Sequence, residues 1–235
     1  MKIGKGSLLI WHVKLDEHVV HKDYFSALLS THEKARAASF RFKQDCVYFI
    51  IARGILRHLI GQLVQQAPER LQFAYNVNGK PRLQLNNRLQ FNLSHTNGQA
   101  IYAFTYGIPV GVDVEYRNPC CPVEDIARRF FTAEEYYSLQ NLTAQSKVQA
   151  FFSAWVQKEA VLKALGLGLF DPLSKIEVAL SPAPMRLIAI YGQRFESERW
   201  LLQSVSPAPN FEAAVAVPMP HLQLEVKTLH AVQLR

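Results

Sequence analysis

An α+β fold is predicted by three features of this 235-residue chain. The stretches Asp45–Gln66 and Gln145–Leu165 carry apolar side chains at the 3.6-residue spacing of a buried helix. Each follows an alternating, strand-like run and precedes several more, so the order strand, long helix, several strands occurs twice. Single long helices beside runs of short strands form the pattern in which each helix lies on an antiparallel-rich sheet.

In chain order, Leu8–Val13 reads as a strand leading to the first long helix. Strands follow at Leu71–Tyr75, Leu83–Leu85, Phe91–Leu93 and Ala100–Thr105, with Asn78-Gly79 as a turn. Tyr106-Gly107-Ile108-Pro109 is the best boundary, dividing a lobe 1–108 from a lobe 109–235. The second lobe opens with the strand Val110–Glu115 and continues through a short helix to Gln145–Leu165. Strands are then expected at Ile176–Leu180, Arg186–Ile190, Leu201–Val205 and Ala213–Val217. Pro182, Pro184, Pro207 and Pro209 mark loops.

Composition narrows the class. At 49% hydrophobic, the chain can bury one full core or two small ones. It has no uninterrupted apolar run of about 18 residues and no basic, apolar leader, so neither a membrane span nor a signal peptide is expected. Three cysteines, Cys46, Cys120 and Cys121, without C-x-x-C spacing, point away from zinc and disulfides and toward a reducing cytoplasm. The net charge of +7 is uneven: residues 1–109 hold 14 Lys/Arg against 6 Asp/Glu, so the first lobe is built to meet anions.

Two clusters of charge need explaining. On the second helix, Val148, Phe152, Trp155 and Leu162 share a face, and Glu159 falls in the middle of it. A buried carboxylate there needs a cation, a metal or hydrogen-bond donors. An ordinary helix pair with Lys163 is one answer. Upstream, in Gly111-Val112-Asp113-Val114-Glu115, strand alternation puts Asp113 and Glu115 on one face, roughly 6.6 Å apart along the strand. Gly111 leaves the approach to them open; a solvated acidic face is the simpler reading.

Taken together, the Gly-x-Asp-x-Glu strand and the Trp155-x-x-Lys158-Glu159-x-x-x-Lys163 helix resemble the phosphopantetheinyl transferases of the larger, surfactin-synthetase-activating type. Further blocks fall in the family's order: Glu33-Lys34-Ala35-Arg36, Phe40-Arg41-Phe42, Ala52-Arg53-Gly54-Ile55-Leu56-Arg57, Gly79-Lys80-Pro81, Phe91-Asn92-Leu93-Ser94-His95, Arg129-Phe130-Phe131-Thr132 and Gly166-Leu167-Gly168-Leu169. Val156 departs from the family, which more often has a small polar residue there.

The resemblance implies two similar lobes related by a pseudo-twofold, with the active site in the cleft between them. It implies transfer of the phosphopantetheine arm of coenzyme A to a serine of an acyl or peptidyl carrier protein, with adenosine 3′,5′-bisphosphate leaving. Asp113, Glu115 and Glu159 would hold Mg²⁺, a hard ion that takes few carboxylates and completes its shell with phosphate and water. Lys163 would offset phosphate charge. Lys34, Arg36, Arg53, Ser94 and His95 match the positions that contact the coenzyme A phosphates, and Lys80 and Pro81 those beside the adenine. Glu135 matches a proposed general base, although Thr132-Ala133-Glu134-Glu135 is also a capping box. The expected partner is an acidic carrier protein met by a monomer, with no nucleic acid and no membrane. A protein that holds coenzyme A without turnover, or a basic nucleic-acid-binding module, are the alternatives.

Overall fold

A computed structural model of the chain describes residues 3–4, 6–84, 88–168, 173–180, 183–194 and 199–230. Leu85, Leu169 and Pro182, named above, lie outside the described residues. The first half runs β1 (Ser7–Lys14), α1 (Lys22–Leu28), α2 (Thr31–Ala38), α3 (Lys43–Val64), β2 (Phe73–Tyr75), β3 (Pro81–Leu83), β4 (Leu89–Thr96) and β5 (Gln99–Tyr106). The second runs β6 (Gly111–Tyr116), α4 (Val123–Phe130), α5 (Ala133–Gln140), α6 (Ala144–Leu165), β7 (Ile176–Val178), β8 (Leu187–Ile190), β9 (Leu201–Ser204), β10 (Phe211–Val217) and β11 (Gln223–Leu229).

The two halves repeat one plan. Strands pair β1-β5-β4 in one sheet and β6-β10-β9 in the other, antiparallel throughout, and each half carries a separate hairpin, β2–β3 or β7–β8. Alternation sorts each strand's side chains into two cores. Leu9 and Val13 of β1, with Tyr102 and Phe104 of β5, pack under α3. Leu8, Ile10, Ile101 and Ala103 point the other way, onto Val112, Val114, Val215 and Val217 of the second sheet. Ala214 and Ala216 of β10 face α6. The layers are therefore helix, sheet, sheet, helix.

Strand β11 departs from the expected division. It pairs in parallel with β1, Leu8 opposite Leu224 and Ile10 opposite Val226, so the chain's last described strand completes the first lobe's sheet. Residues 109–235 are thus not one lobe. Helix α3 has the length and mean hydropathy (1.4) of a membrane span by composition alone. Most of that window is buried in the core, and Arg53 and Arg57 sit inside the helix. The single short helix expected before α6 is two, α4 and α5, and α1 and α2 are additional.

Helices α2 and α5 start alike. Ser30 and Thr132 each accept a bond from the amide three residues on, and Glu33 and Glu135 each reach back to the capping residue's own amide. Both glutamates then ion-pair with the long helix of their half: Glu33 with Arg57 at 2.6 Å and Arg53 at 2.7 Å, Glu135 with Lys158 at 2.6 Å. Val156 is fully buried in the second lobe's core.

Candidate active site

The site forms where the edge strands of the two sheets meet. Asn92 Oδ1 of β4 accepts a bond from the Val112 amide of β6 at 2.9 Å, and two residues on, the Ser94 hydroxyl donates to Asp113 Oδ1 at 2.9 Å. Helix α6 packs directly on β6 at Gly111, where a Cβ would overlap the Ala160 carbonyl and the Ala164 amide. Gly111 therefore admits the helix rather than a ligand, which corrects its expected role. That close approach delivers Lys163, whose Nζ donates to Asp113 Oδ1 at 2.6 Å and to Ser94 Oγ at 3.2 Å.

The carboxylates are crowded and under-satisfied. Asp113 Oδ2 and Glu159 Oε1 are buried without a hydrogen-bond partner. Burial pushes Glu115 up to about 7, helped by Asp113 and Glu159 and opposed by Lys163. Burial likewise pushes Glu159 up to about 7, opposed by Lys163 and helped by Asp113. Burial also works against the Lys163 ammonium, but Asp113 first, then Glu159 and Glu115, hold it above the ordinary lysine range. His95 is drawn into the same field: burial and Lys163 lower its pKa, against the pull of Asp45.

Orphaned buried oxygens beside raised carboxyls are what a hard cation would satisfy. Among the described residues no three His, Cys, Asp or Glu side chains enclose an ion by themselves. The set fits a metal that takes its remaining ligands from phosphate and water, as Mg²⁺ does.

A second feature lies in the first lobe, a cleft of about 630 Å³ lined by His32, Arg36, Arg53, Tyr75, Asn78 and Pro81 among others. Arg53 is anchored there: Nε donates to Glu33 and Nη2 to the Tyr75 hydroxyl, both at 2.7 Å. Burial opposes the Glu33 charge, but bonds from Arg57 and Ser30 and the charges of Arg53 and Arg57 hold its pKa below the usual value.

Most of the expected site residues are brought together. Asp113, Glu115, Glu159, Lys163, Ser94 and His95 share the seam, and Arg36, Arg53 and Pro81 share the cleft. Lys34 is exposed on α2 and does not line the cleft. Lys80 turns away from it: Nζ donates to the carbonyls of Val110 at 3.1 Å, Lys163 at 2.5 Å and Ala164 at 3.4 Å, and burial pushes its pKa down to about 8. Glu135 is not at the site. One oxygen takes the Thr132 amide and the Lys158 ammonium and the other takes the Val178 amide, so its carboxylate frames the second lobe and has no lone oxygen for a substrate proton.

Asn92 and the Glu33–Arg57 pair were not anticipated as site-building residues. Asn92 shares strand parity with Ser94, and Ser30-x-x-Glu33 is a capping-box pattern, so both had a signal in the sequence.

Comparison with known proteins gives this arrangement its class. Residues 109–216 match the 4′-phosphopantetheinyl transferase superfamily, and residues 19–105 match the N-terminal region of 4′-phosphopantetheinyl transferases. The 4′-phosphopantetheinyl transferase HetI of Nostoc sp. is 37% identical over 212 residues, covering 88% of this chain and 86% of the relative. The transferase psf-1 of Bacillus pumilus is 29% identical over 86% of this chain and 84% of its own. The transferase Sfp of Bacillus subtilis is 28% identical over 66% and 68%. Among solved structures, the holo-[acyl-carrier-protein] synthase of Thermotoga maritima aligns over 50% of this chain and 65% of its own, with 21% identity and a TM-score of 0.36. The chain belongs to the 4′-phosphopantetheinyl transferase family, in its Sfp-type branch, and is an enzyme that transfers phosphopantetheine to carrier proteins.

Proposed function

We propose that the donor is coenzyme A, that transfer depends on Mg²⁺, and that adenosine 3′,5′-bisphosphate is the product released. The observation that supports this most is the pair of buried, partnerless oxygens, Asp113 Oδ2 and Glu159 Oε1. Leaving a buried carboxylate oxygen unsatisfied costs about 1–3 kcal/mol or more, a cost that a bound cation removes. Asp113 and Glu159 would hold the ion, with Glu115 assisting directly or through water. Bound there, Mg²⁺ would serve as Lewis acid and charge sink for the pyrophosphate.

The chain's own side chains bind, orient and move the proton. Arg36 and Arg53 offer guanidinium forks for the 3′-phosphate in the cleft they line. Ser94 and His95, on β4 beside Asp113 and Lys163, would offer donors to the pyrophosphate. The carrier serine oxygen bonds to the β-phosphorus as the bond from that phosphorus to the bisphosphate breaks. The serine proton passes to Glu115, the carboxylate two residues along β6 from Asp113. Lys163 offsets the negative charge that grows on the departing group.

Chromatographic detection of adenosine 3′,5′-bisphosphate after mixing protein, coenzyme A and apo carrier protein tests the reading. Product is expected with Mg²⁺ and none with a chelator; product at equal rates in both would overturn the metal assignment.

A further inference from the structure

The β2–β3 hairpin touches two things at once. One side of it, through Tyr75, Asn78 and Pro81, walls the basic cleft. The other side seals the C-terminal end of α6, the helix that carries Glu159 and Lys163. There, Asn76 and Asn78 donate their side-chain amides to the Gly166 carbonyl at 2.8 and 3.1 Å, and Lys80 donates to the Lys163 and Ala164 carbonyls and to Val110, the residue before β6 begins. Gly166, at φ 75°, ends α6; its amide reaches the Lys163 carbonyl at 3.2 Å, so Lys80 adds a second donor to that carbonyl. An ammonium at the negative end of a helix also meets its dipole favourably.

The hairpin is itself held in shape. Asn76 Oδ1 accepts the amides of Asn78 at 3.0 Å and Lys80 at 2.8 Å, and Gly79 takes φ 81° at the tip. The lysine is thus presented from a fixed turn rather than from a loose loop.

We propose that Lys80 is a positioning residue: its ammonium clamps the last turn of α6 to the start of β6, and so sets Lys163 and Glu159 against Asp113. The clamp rests on the transfer chemistry proposed above. It gives Lys80 a role in turnover without contact to coenzyme A, in contrast to the adenine contact the family resemblance implies. Because the same hairpin walls the cleft, filling the cleft and aligning the carboxylates share one structural element.

The test compares full-length wild type, Lys80→Met and Lys80→Arg in steady-state transfer to an apo carrier protein, with coenzyme A binding measured separately by calorimetry. Displacing a reacting group by about 1 Å costs roughly 10²-fold, so Lys80→Met is expected to lower kcat about 10- to 100-fold while the KM and Kd for coenzyme A change less than about 3-fold. Arginine can donate to the same carbonyls and should restore kcat to within about 5-fold of wild type. A rise in coenzyme A Kd of about 10-fold with kcat intact would make Lys80 a ligand contact and overturn the clamp, as would a kcat that Lys80→Met leaves unchanged. If Lys80→Met does not fold, Lys80→Gln, whose amide still reaches one carbonyl, carries the same comparison with a loss of about 3- to 10-fold expected and an unchanged kcat again fatal. A wild-type protein that binds coenzyme A yet transfers nothing would instead sink the transfer chemistry.

Discussion

Glu135 and Lys158 meet at 2.6 Å inside the second lobe, joining the start of α5 to α6 as Glu33 and Arg57 join α2 to α3 in the first. Both side chains are almost fully buried, and Lys158 also donates to the Leu173 and Ile176 carbonyls. Removing one member of a buried pair leaves the other charge uncompensated, at about 3–5 kcal/mol. Glu135→Gln should therefore lower stability by roughly 3 kcal/mol in denaturant titrations, while the folded variant keeps turnover within a few-fold of wild type. Loss of about 10²-fold or more in turnover at unchanged stability would return Glu135 to the role of general base.

The raised carboxyls give a pH signature. Glu115 and Glu159 bind a proton more tightly folded, at about 7, than at their ordinary 4.5. The stability this contributes to the metal-free protein is fully present below about pH 4.5 and lost as pH rises through about 7. Glu159→Gln removes one of the two groups, so its melting temperature in chelator should fall less steeply than wild type between those pH values. Mg²⁺ competes with the protons, so its stabilisation of wild type should grow as pH rises through 7. A melting-temperature gain from Mg²⁺ that is the same at pH 6 and pH 8 would contradict this.

In the cleft, Arg36 is exposed and Arg53 is tied to Glu33 and Tyr75, so Arg36 offers the cleaner test of phosphate binding. A charge-assisted phosphate contact contributes about 1.5–3 kcal/mol. Arg36→Ala should weaken coenzyme A by at least about 10-fold and 3′-dephospho-coenzyme A by much less. Calorimetry showing equal losses for both ligands would move Arg36 off the 3′-phosphate.

Carrier-protein encounter should depend on ionic strength. A chain of net +7 steers acidic partners, and the acidity of the carrier is what the family leads us to expect. Raising salt from about 0.05 to 0.5 M should depress the second-order rate constant for the carrier and leave kcat nearly constant. A rate constant indifferent to salt would point to an apolar docking face.

Much of this was legible in the sequence where a local period decides the outcome. Strand parity put Asp113 and Glu115 on one face, and the helical period put Glu159 inside an apolar stripe; both long helices end within two residues of their expected limits. What was not legible depends on how elements cross. Lys163 pairs with Asp113 rather than Glu159 because α6 lies directly on β6 at Gly111, and nothing in either segment alone encodes that contact. Lys80 and Glu135 sit in motifs that fit a ligand or a proton equally well, and only the packing directs their charges to backbone carbonyls and to Lys158. Strand β11 was overlooked despite alternating Leu224, Val226 and Thr228 with charged neighbours, since a half-exposed edge strand carries a weak apolar signal.

Asp113 and Glu159 are proposed to serve an ion that makes transfer possible. Mass spectrometry of an apo carrier protein incubated with coenzyme A, Mg²⁺ and either wild type, Asp113→Ala or Glu159→Ala tests it most directly. The phosphopantetheine adduct is expected with wild type only; folded Glu159→Ala should melt in chelator at or above wild type, because it loses a buried carboxylate with an unsatisfied oxygen, whereas Asp113→Ala, which also strips Lys163 of its 2.6 Å partner, should melt lower yet remain folded. Near-normal adduct formation by either folded variant would contradict it.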